Sequence, residues 1–88
     1  MSYSEKQVIA VNNVIDIYIS SVFARVKCKN IIGYEMKNNK KPIEIADAVQ
    51  DYISTSFSGN NLSDILNMDK PNNINIRNMR NDIIKALL

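Results

Sequence analysis

The first third of the chain repeats apolar residues at helical spacing. Spacings of three and four are typical of one face of an α-helix, and they join Val8, Val11, Ile15, Tyr18, Val22 and Val26. Ser4 and Gln7 stand at the two positions of a capping box, and Tyr3 and Val8 at those of a hydrophobic staple. We therefore predict one long, central helix that begins after Ser4 and ends between residues 28 and 33.

The end of this helix is marked less sharply than its start. Asn30 and Gly33 are both suited to the left-handed conformation that often follows a helix. The β-branched residues between 14 and 26 favour a strand instead, whereas the capping box and the length of the pattern favour a helix. Residues 31–36 are a candidate short extended segment, and residues 37–41 are expected to form an exposed loop.

Three further helices are predicted in the rest of the chain. Pro42 suits the first position of the second helix, where its missing N–H costs nothing. The inward residues of that helix are expected to be Ile45, Ala46, Val49, Tyr52, Ile53 and Phe57. A short third helix is predicted over residues 61–68, and a fourth over about 74–87 with Ile76, Met79, Ile83 and Leu87 inward. The predicted fold is a compact all-α bundle of about four helices in a single domain, 1–88.

The first helix carries more apolar residues than one buried face requires. Ile9, Val14, Ile17 and Phe23 widen its stripe, so more than one side of the helix is expected to be covered. A second copy of the chain is a natural way to cover the excess. We therefore predict a homodimer in which the core and the interface share Val8, Val11, Ile15, Tyr18 and Val22.

Charged residues are segregated along the chain, although the net charge is only +2. A basic patch is predicted from Arg25, Lys27, Lys29, Lys37, Lys40 and Lys41. An acidic face is predicted from Glu44, Asp47 and Asp51, which lie on one side of the second helix opposite its apolar stripe. Two interpretations stay open, namely ordinary solvated helix surfaces and a mixed-charge docking surface.

The residue types that most enzymes depend on are scarce. The chain has no histidine, one cysteine and two glycines, so the usual general base, zinc ligands and phosphate-binding loops have few candidates. Carboxylates such as Glu44 and Asp47 do acid–base chemistry only in a cleft that shifts their pKa values. We therefore expect a protein that is not an enzyme and that uses no metal and no cofactor.

The last predicted helix offers an alternative, DNA binding. Its outward residues are expected to be Asn75, Arg77, Asn78, Asn81 and Lys85, and Arg and Asn side chains can recognise guanine and adenine edges. A helix-turn-helix or winged helix would place this helix in the major groove. The long linker before it, the nearby Asp64 and Asp69, and the low net charge argue against this interpretation.

The favoured function is that of a small regulatory or inhibitory protein that binds another protein. The runner-up is a DNA-binding transcriptional regulator, and a third possibility is a structural subunit of a larger assembly. Ile, Asn and Lys are abundant and have A/T-rich codons, which suits a low-GC genome, including that of a phage or plasmid. Polar residues interrupt every long apolar stretch, so we expect a cytoplasmic protein with no membrane span.

Overall fold

The computed structural model describes residues 2–56 and 73–88, and these ranges contain four helices. They are α1 (Glu5–Tyr18), α2 (Val22–Lys37), α3 (Pro42–Ser56) and α4 (Asn73–Leu87). Helix α1 packs against α2 and α4, and α3 also packs against α2 and α4. This arrangement confirms the predicted all-α class and small helical bundle, with principal extents of 38 × 21 × 19 Å.

The predicted capping box forms at the start of α1. The backbone N–H of Ser4 donates to Gln7 Oε1 at 2.8 Å, and the backbone N–H of Gln7 donates to Ser4 Oγ at 3.2 Å. The Gln7 side chain also donates from Nε2 to the carbonyl oxygen of Leu87 at 3.0 Å. The Gln7 side chain therefore gives the Ser4 N–H a hydrogen-bond acceptor and also links the first turn of α1 to the last turn of α4.

The prediction of one long N-terminal helix is wrong, because the chain leaves the helix after Tyr18 and enters a new one at Val22. Ile19 is extended, with φ −115° and ψ 121°. Ser21 is the N-cap of α2, and its hydroxyl accepts from the backbone N–H of Ala24 at 3.3 Å. Serine side chains compete with the helix for backbone partners, so the pair of serines at 20 and 21 favours a break.

A side chain of the second helix caps the end of the first. The Arg25 guanidinium donates to two carbonyl oxygens near the end of α1, those of Ile19 and Asp16, the latter from Nη2 at 3.1 Å. These carbonyls would have had partners in a continuous helix. Arg25 thus compensates for the interruption and fixes α2 to α1.

The break changes which residues face the core. The next fully buried residues after Ile19 are Ala24 and Cys28. They do not continue the three- and four-residue spacing of the inward face of α1. Val22 and Val26 continue the spacing of α1 and were expected inward, yet they are 71% and 53% exposed. The break rotates α2 about its axis relative to the continuation of α1. Side chains that a continuous helix would bury therefore face solvent.

Residues 31–36 are helical, so the candidate extended segment there is wrong. Ile32 lies in the core with 1% exposure, and α2 continues beyond it to Lys37. Neither Asn30 nor Gly33 ends the helix. Asn39 takes that role in a left-handed conformation, with φ 58°, which asparagine tolerates better than most residues.

The turn between α2 and α3 satisfies its backbone groups in an ordered way. The N–H of Asn39 donates to the Met36 carbonyl at 3.0 Å, and the N–H of Lys40 donates to the Glu35 carbonyl at 3.1 Å. This pair of bonds is a Schellman motif. The Tyr3 hydroxyl then donates to the Lys40 carbonyl at 2.6 Å, which attaches the residues before α1 to this turn.

The predictions for the second and fourth helices are confirmed over the described residues. The buried core comprises Val11, Ile15, Ile19, Ala24, Cys28, Ile32, Ile45, Ala46, Val49, Ile53, Ile76, Met79, Ile83 and Leu87. Phe57 and the predicted helix at 61–68 lie outside the described residues. None of the helices in the described ranges has the length and apolar character needed to cross a lipid bilayer.

Candidate functional site

The lone thiol lies in the core. Cys28 is fully buried, and burial raises its pKa to about 12. Because the thiolate is the reactive form, this environment suppresses nucleophilic chemistry at neutral pH. Within residues 2–56 and 73–88, no group of three or more Cys, Asp or Glu residues is placed to hold a metal ion.

The predicted acidic face has structural partners for two of its three carboxylates. Glu44 Oε2 accepts from the backbone N–H of Lys41 at 2.9 Å, which caps the first turn of α3. Asp47 Oδ1 accepts from Arg80 Nε of α4 at 2.8 Å. Asp51 is exposed one turn further along α3. The face therefore serves packing between α3 and α4 as well as solvation.

The predicted self-association residues are dispersed by the fold. Val11 and Ile15 are completely buried within the protomer, Val8 and Tyr18 are half-buried, and Val22 is exposed. They do not form one accessible surface on this protomer. Self-association as such stays a prediction, but only Val22 of the five is well placed to contact a second molecule.

Within the part of the chain that the structure describes, two of the six residues of the predicted basic patch form ion pairs. Lys29 Nζ lies 2.8 Å from Asp16 Oδ1, and Arg25 Nε lies 3.8 Å from the same oxygen. The remaining four, Lys27, Lys37, Lys40 and Lys41, are exposed. Arg25 and Lys29 thus hold α1 and α2 together, while positive charge remains available on α2 and on the turn after it.

Helix α4 presents most of the residues predicted to contact DNA. Arg77, Asn78, Asn81 and Lys85 are exposed, and the side chain of Asn75 lies outside the described part of the helix. Beside them, an open polar cleft of about 440 Å³ separates α3 and α4; it is lined by Gln50, Ser54, Ile76, Arg77, Arg80 and Asn81. The cleft is lined by two guanidiniums, those of Arg77 and Arg80. The charge of Arg80 is partly neutralised by its salt bridge to Asp47.

The outward side of α2 is the most apolar exposed helix surface of the described residues. Phe23 and Tyr34 are 69% and 67% exposed, and Val22 and Val26 are also largely exposed. Residues three, four or seven apart share a helix face, so these four lie on one side together with Asn30 and Gly33. We call this side, defined by Val22, Phe23, Val26, Gly33 and Tyr34, the α2 face.

The α2 face has a large-residue edge and a small-residue edge. Phe23 and Tyr34 form a raised row on one side, with Lys27 between them at helical spacing. Val22, Val26 and Gly33 form the lower row beside it. A Cβ added at Gly33 would meet no atom of the described residues within 4 Å, so none of their contacts requires glycine there.

A shallow apolar groove lies between the start of α3 and the end of α4. This groove of about 640 Å³ is lined by Lys41, Pro42, Ile43, Glu44, Ile84 and Leu88. Two of its lining residues, Ile43 at the start of α3 and Leu88 after α4, are exposed. It offers fewer large side chains than the α2 face and contains no aromatic residue.

Comparison with known proteins adds no assignment: no family model, no curated protein sequence and no solved structure matches this chain.

Phe23, Val26 and Tyr34 were not singled out as surface residues by the sequence. The spacing predicts Val26 in the core stripe of one long helix and Phe23 at its widened edge, and Tyr34 falls in the candidate extended segment. One signal could have revealed them. Ser20 and Ser21 form a candidate N-cap pair inside the apolar stripe, and a helix restarting there changes the phase of everything that follows.

Proposed function

We propose that this protein is a small, non-catalytic regulatory or inhibitory protein that acts by binding another protein through the α2 face. The observation that supports the proposal is the exposure of Phe23, Val26 and Tyr34 side by side on one helix. Soluble monomers seldom leave a contiguous apolar surface of this kind uncovered. Aromatic residues are also enriched among those that dominate binding energy at protein interfaces.

Most of the surface of Phe23 and Tyr34 is left uncovered in the protomer. Burying two aromatic rings of about 150–250 Å² each would remove much apolar area from water, at about 25 cal/mol per Å². Inside this protomer, these residues gain little because they remain exposed. The same surface covered by a partner would supply the driving force for a specific complex.

A pair of matched substitutions tests the proposal. Val26 on α2 and Ile9 on α1 are 53% and 55% exposed, so Val26→Asp and Ile9→Asp introduce the same charge at equally accessible helical positions. Purified wild type and both variants, checked for fold by circular dichroism and thermal melting, are used to capture proteins from lysate of the native host. We expect a protein retained by wild type and Ile9→Asp to be lost with Val26→Asp.

Two results would contradict the proposal. Retention of the same proteins by Val26→Asp and by wild type would show that the α2 face is not the binding surface. Retention of no protein by any form, with all forms folded, would remove the basis for a protein-binding function.

The second candidate is a DNA-binding regulator that uses α4. It is favoured by the exposure of Arg77, Asn78, Asn81 and Lys85 on one helix, and it predicts steeply salt-dependent binding. Arg77→Ala and Asn78→Ala would then remove sequence preference without unfolding the protein. A gel-shift selection from random duplexes tests it, and no enriched sequence with wild type would exclude this candidate.

A further inference from the structure

The charged residues of α2 that border the α2 face are all lysines. Lys27 lies within its raised row, Lys29 lies beside the lower row, and Lys37 lies at its C-terminal end. The one carboxylate of α2, that of Glu35, belongs to a half-buried residue that is displaced by about half a turn from Lys37 and Val26. On α2 itself, the charge around the apolar surface is therefore entirely positive.

This charge pattern selects among possible occupants. A second copy of the chain would place two sets of these lysines against each other, and like charges across an interface are unfavourable. Among the described residues, Lys29 is the one of these lysines with an ion pair, to Asp16 at 2.8 Å. An occupant with acidic residues beside its own apolar stripe would instead pair with Lys27 and Lys37.

The shape of the α2 face indicates that the occupant is helical. Val22 and Tyr34 are 12 residues apart, which is about 18 Å along a helix or about three turns. The lower row of Val22, Val26 and Gly33 beside the raised aromatic row resembles the groove into which a helix ridge packs. Gly33 lies in that lower row and allows a close approach of a second backbone.

From these observations we infer that the α2 face binds an amphipathic helix whose apolar stripe is flanked by Asp or Glu residues. The partner helix would lie along Val22, Val26 and Gly33, against the aromatic row, with its acidic flank beside Lys27 and Lys37. Such a helix would be recognised through apolar anchors at spacings of three, four and seven. This inference rests on the proposed function and specifies the chemistry of the partner.

Designed peptides test the inference directly. Three helical peptides of about 20 residues share one Leu/Ile stripe and differ only in flanking residues, which are Glu, Gln or Lys. Fluorescence anisotropy measures their binding to the wild-type protein at low and at high salt. We expect the Glu-flanked peptide to bind at least about tenfold more tightly than the Gln-flanked peptide, with the difference reduced by salt.

Charge-reversal variants locate the site. Lys27→Glu/Lys37→Glu reverses two charges at the α2 face, and Lys40→Glu/Lys41→Glu makes the same change on the turn beyond it. The first variant should lose the preference for Glu flanks and gain affinity for the Lys-flanked peptide, whereas the second should bind like wild type. Val26→Asp should weaken binding of all three peptides.

Several outcomes would overturn the inference. One is equal affinity for all three peptides, and another is an equal effect of the two charge-reversal variants on peptide binding. A third is binding of single-stranded DNA or anionic lipid vesicles that depends on α2, without selectivity among the peptides. A dimer in sedimentation that Val26→Asp dissociates would assign the face to a second copy. If the host protein captured by wild type is lost with Val26→Asp but kept by Lys27→Glu/Lys37→Glu, the proposed function stands and the acidic-helix inference fails.

Discussion

The hydroxyl of Tyr18 donates a 2.6 Å hydrogen bond to Asp82 Oδ2, which links the last residue of α1 to α4. The two residues are 64 positions apart in the sequence. The bond forms at the point where the first helix ends, and it therefore helps to hold α1 in place just before the chain turns into α2.

Replacing Tyr18 with phenylalanine is expected to destabilise the protein by about 1–2 kcal/mol, since it deletes a charge-assisted bond while keeping the ring. Urea denaturation measures the loss. Asp82→Asn in the same background should add little, because the two residues share one interaction. A fully additive double variant would show that they act independently.

Tyr18 should also titrate late. Its hydrogen bond to Asp82, with burial and the nearby charge, raises its pKa to about 12. A raised pKa means that the folded state favours the neutral phenol, so the stabilisation is complete below pH 10 and is lost as the pH rises toward 12. Absorbance titration at alkaline pH should show this component in wild type and not in Tyr18→Phe.

The Cys28 thiol should make the free energy of unfolding fall from a lower pH than Tyr18 does. Burial raises its pKa from 9.0 to about 12, so the folded protein disfavours the thiolate. Its contribution to stability is complete below pH 9 and declines from there toward pH 12. Cys28→Ala, measured in the Tyr18→Phe background, should flatten the pH dependence of the unfolding free energy in this range.

Alkylation provides an independent measure at Cys28. Native protein at neutral pH should react with iodoacetamide far more slowly than the urea-unfolded chain, because the buried thiol must be exposed by an opening motion. Equal rates in the native and unfolded states would contradict the buried position of this side chain.

The contact between Asp47 and Arg80 joins α3 to α4 at 2.8 Å. Both side chains are partly exposed, so a double-mutant cycle with alanine is expected to give a coupling of only about 0.5–1 kcal/mol, smaller at high salt. Asp51, four residues further along α3, provides the comparison cycle with Arg80. Equal coupling in the two cycles would show that the observed pair has no special role.

Glycine at position 33 should make the free protein less stable than alanine would. Glycine in a helix is less favourable than alanine by about 0.5–1 kcal/mol, and a Cβ at this position meets nothing within 4 Å in residues 2–56 and 73–88. We expect Gly33→Ala to raise the free energy of unfolding by about that amount. A destabilised Gly33→Ala would mean that the folded protomer needs glycine there.

Gly33 also connects stability to the inferred binding site. If a partner helix approaches closely at the lower row, Gly33→Gln should weaken binding of the Glu-flanked peptide while leaving the protein folded. Asn13→Gln, at an exposed position of α1, is a control for a longer polar side chain outside the α2 face. Equal weakening by both variants would argue against a specific close approach at Gly33.

Local signals predicted much of the fold because they act within one or two turns. Ser4 and Gln7 complete a reciprocal pair of hydrogen bonds that needs no distant partner. Pro42 begins α3 where its missing N–H is harmless. The amphipathic stripes of α3 and α4 also correspond to the buried residues, including Ile53 and Ile83, because hydrophobic burial selects one face of each helix.

The N-terminal region shows where such signals are insufficient. A stripe that includes Val22 and Val26 is compatible with one continuous helix, and nothing in their apolar character distinguishes core from surface. Two serines interrupt the helix, and Arg25 compensates for carbonyls at the end of α1. The free energy of that break depends on contacts made across it, so the spacing alone does not reveal it.

Capping and amphipathic burial depend on neighbouring residues, so the helical class, the starts of α1 and α3, and the inward faces of α3 and α4 could be predicted from the residues alone. The contacts of Tyr18 with Asp82 and of Asp47 with Arg80, and the outward position of the α2 face, could not. Those outcomes depend on how helices are rotated and packed against one another. A rotation of one helix exchanges core for surface without changing any residue in it.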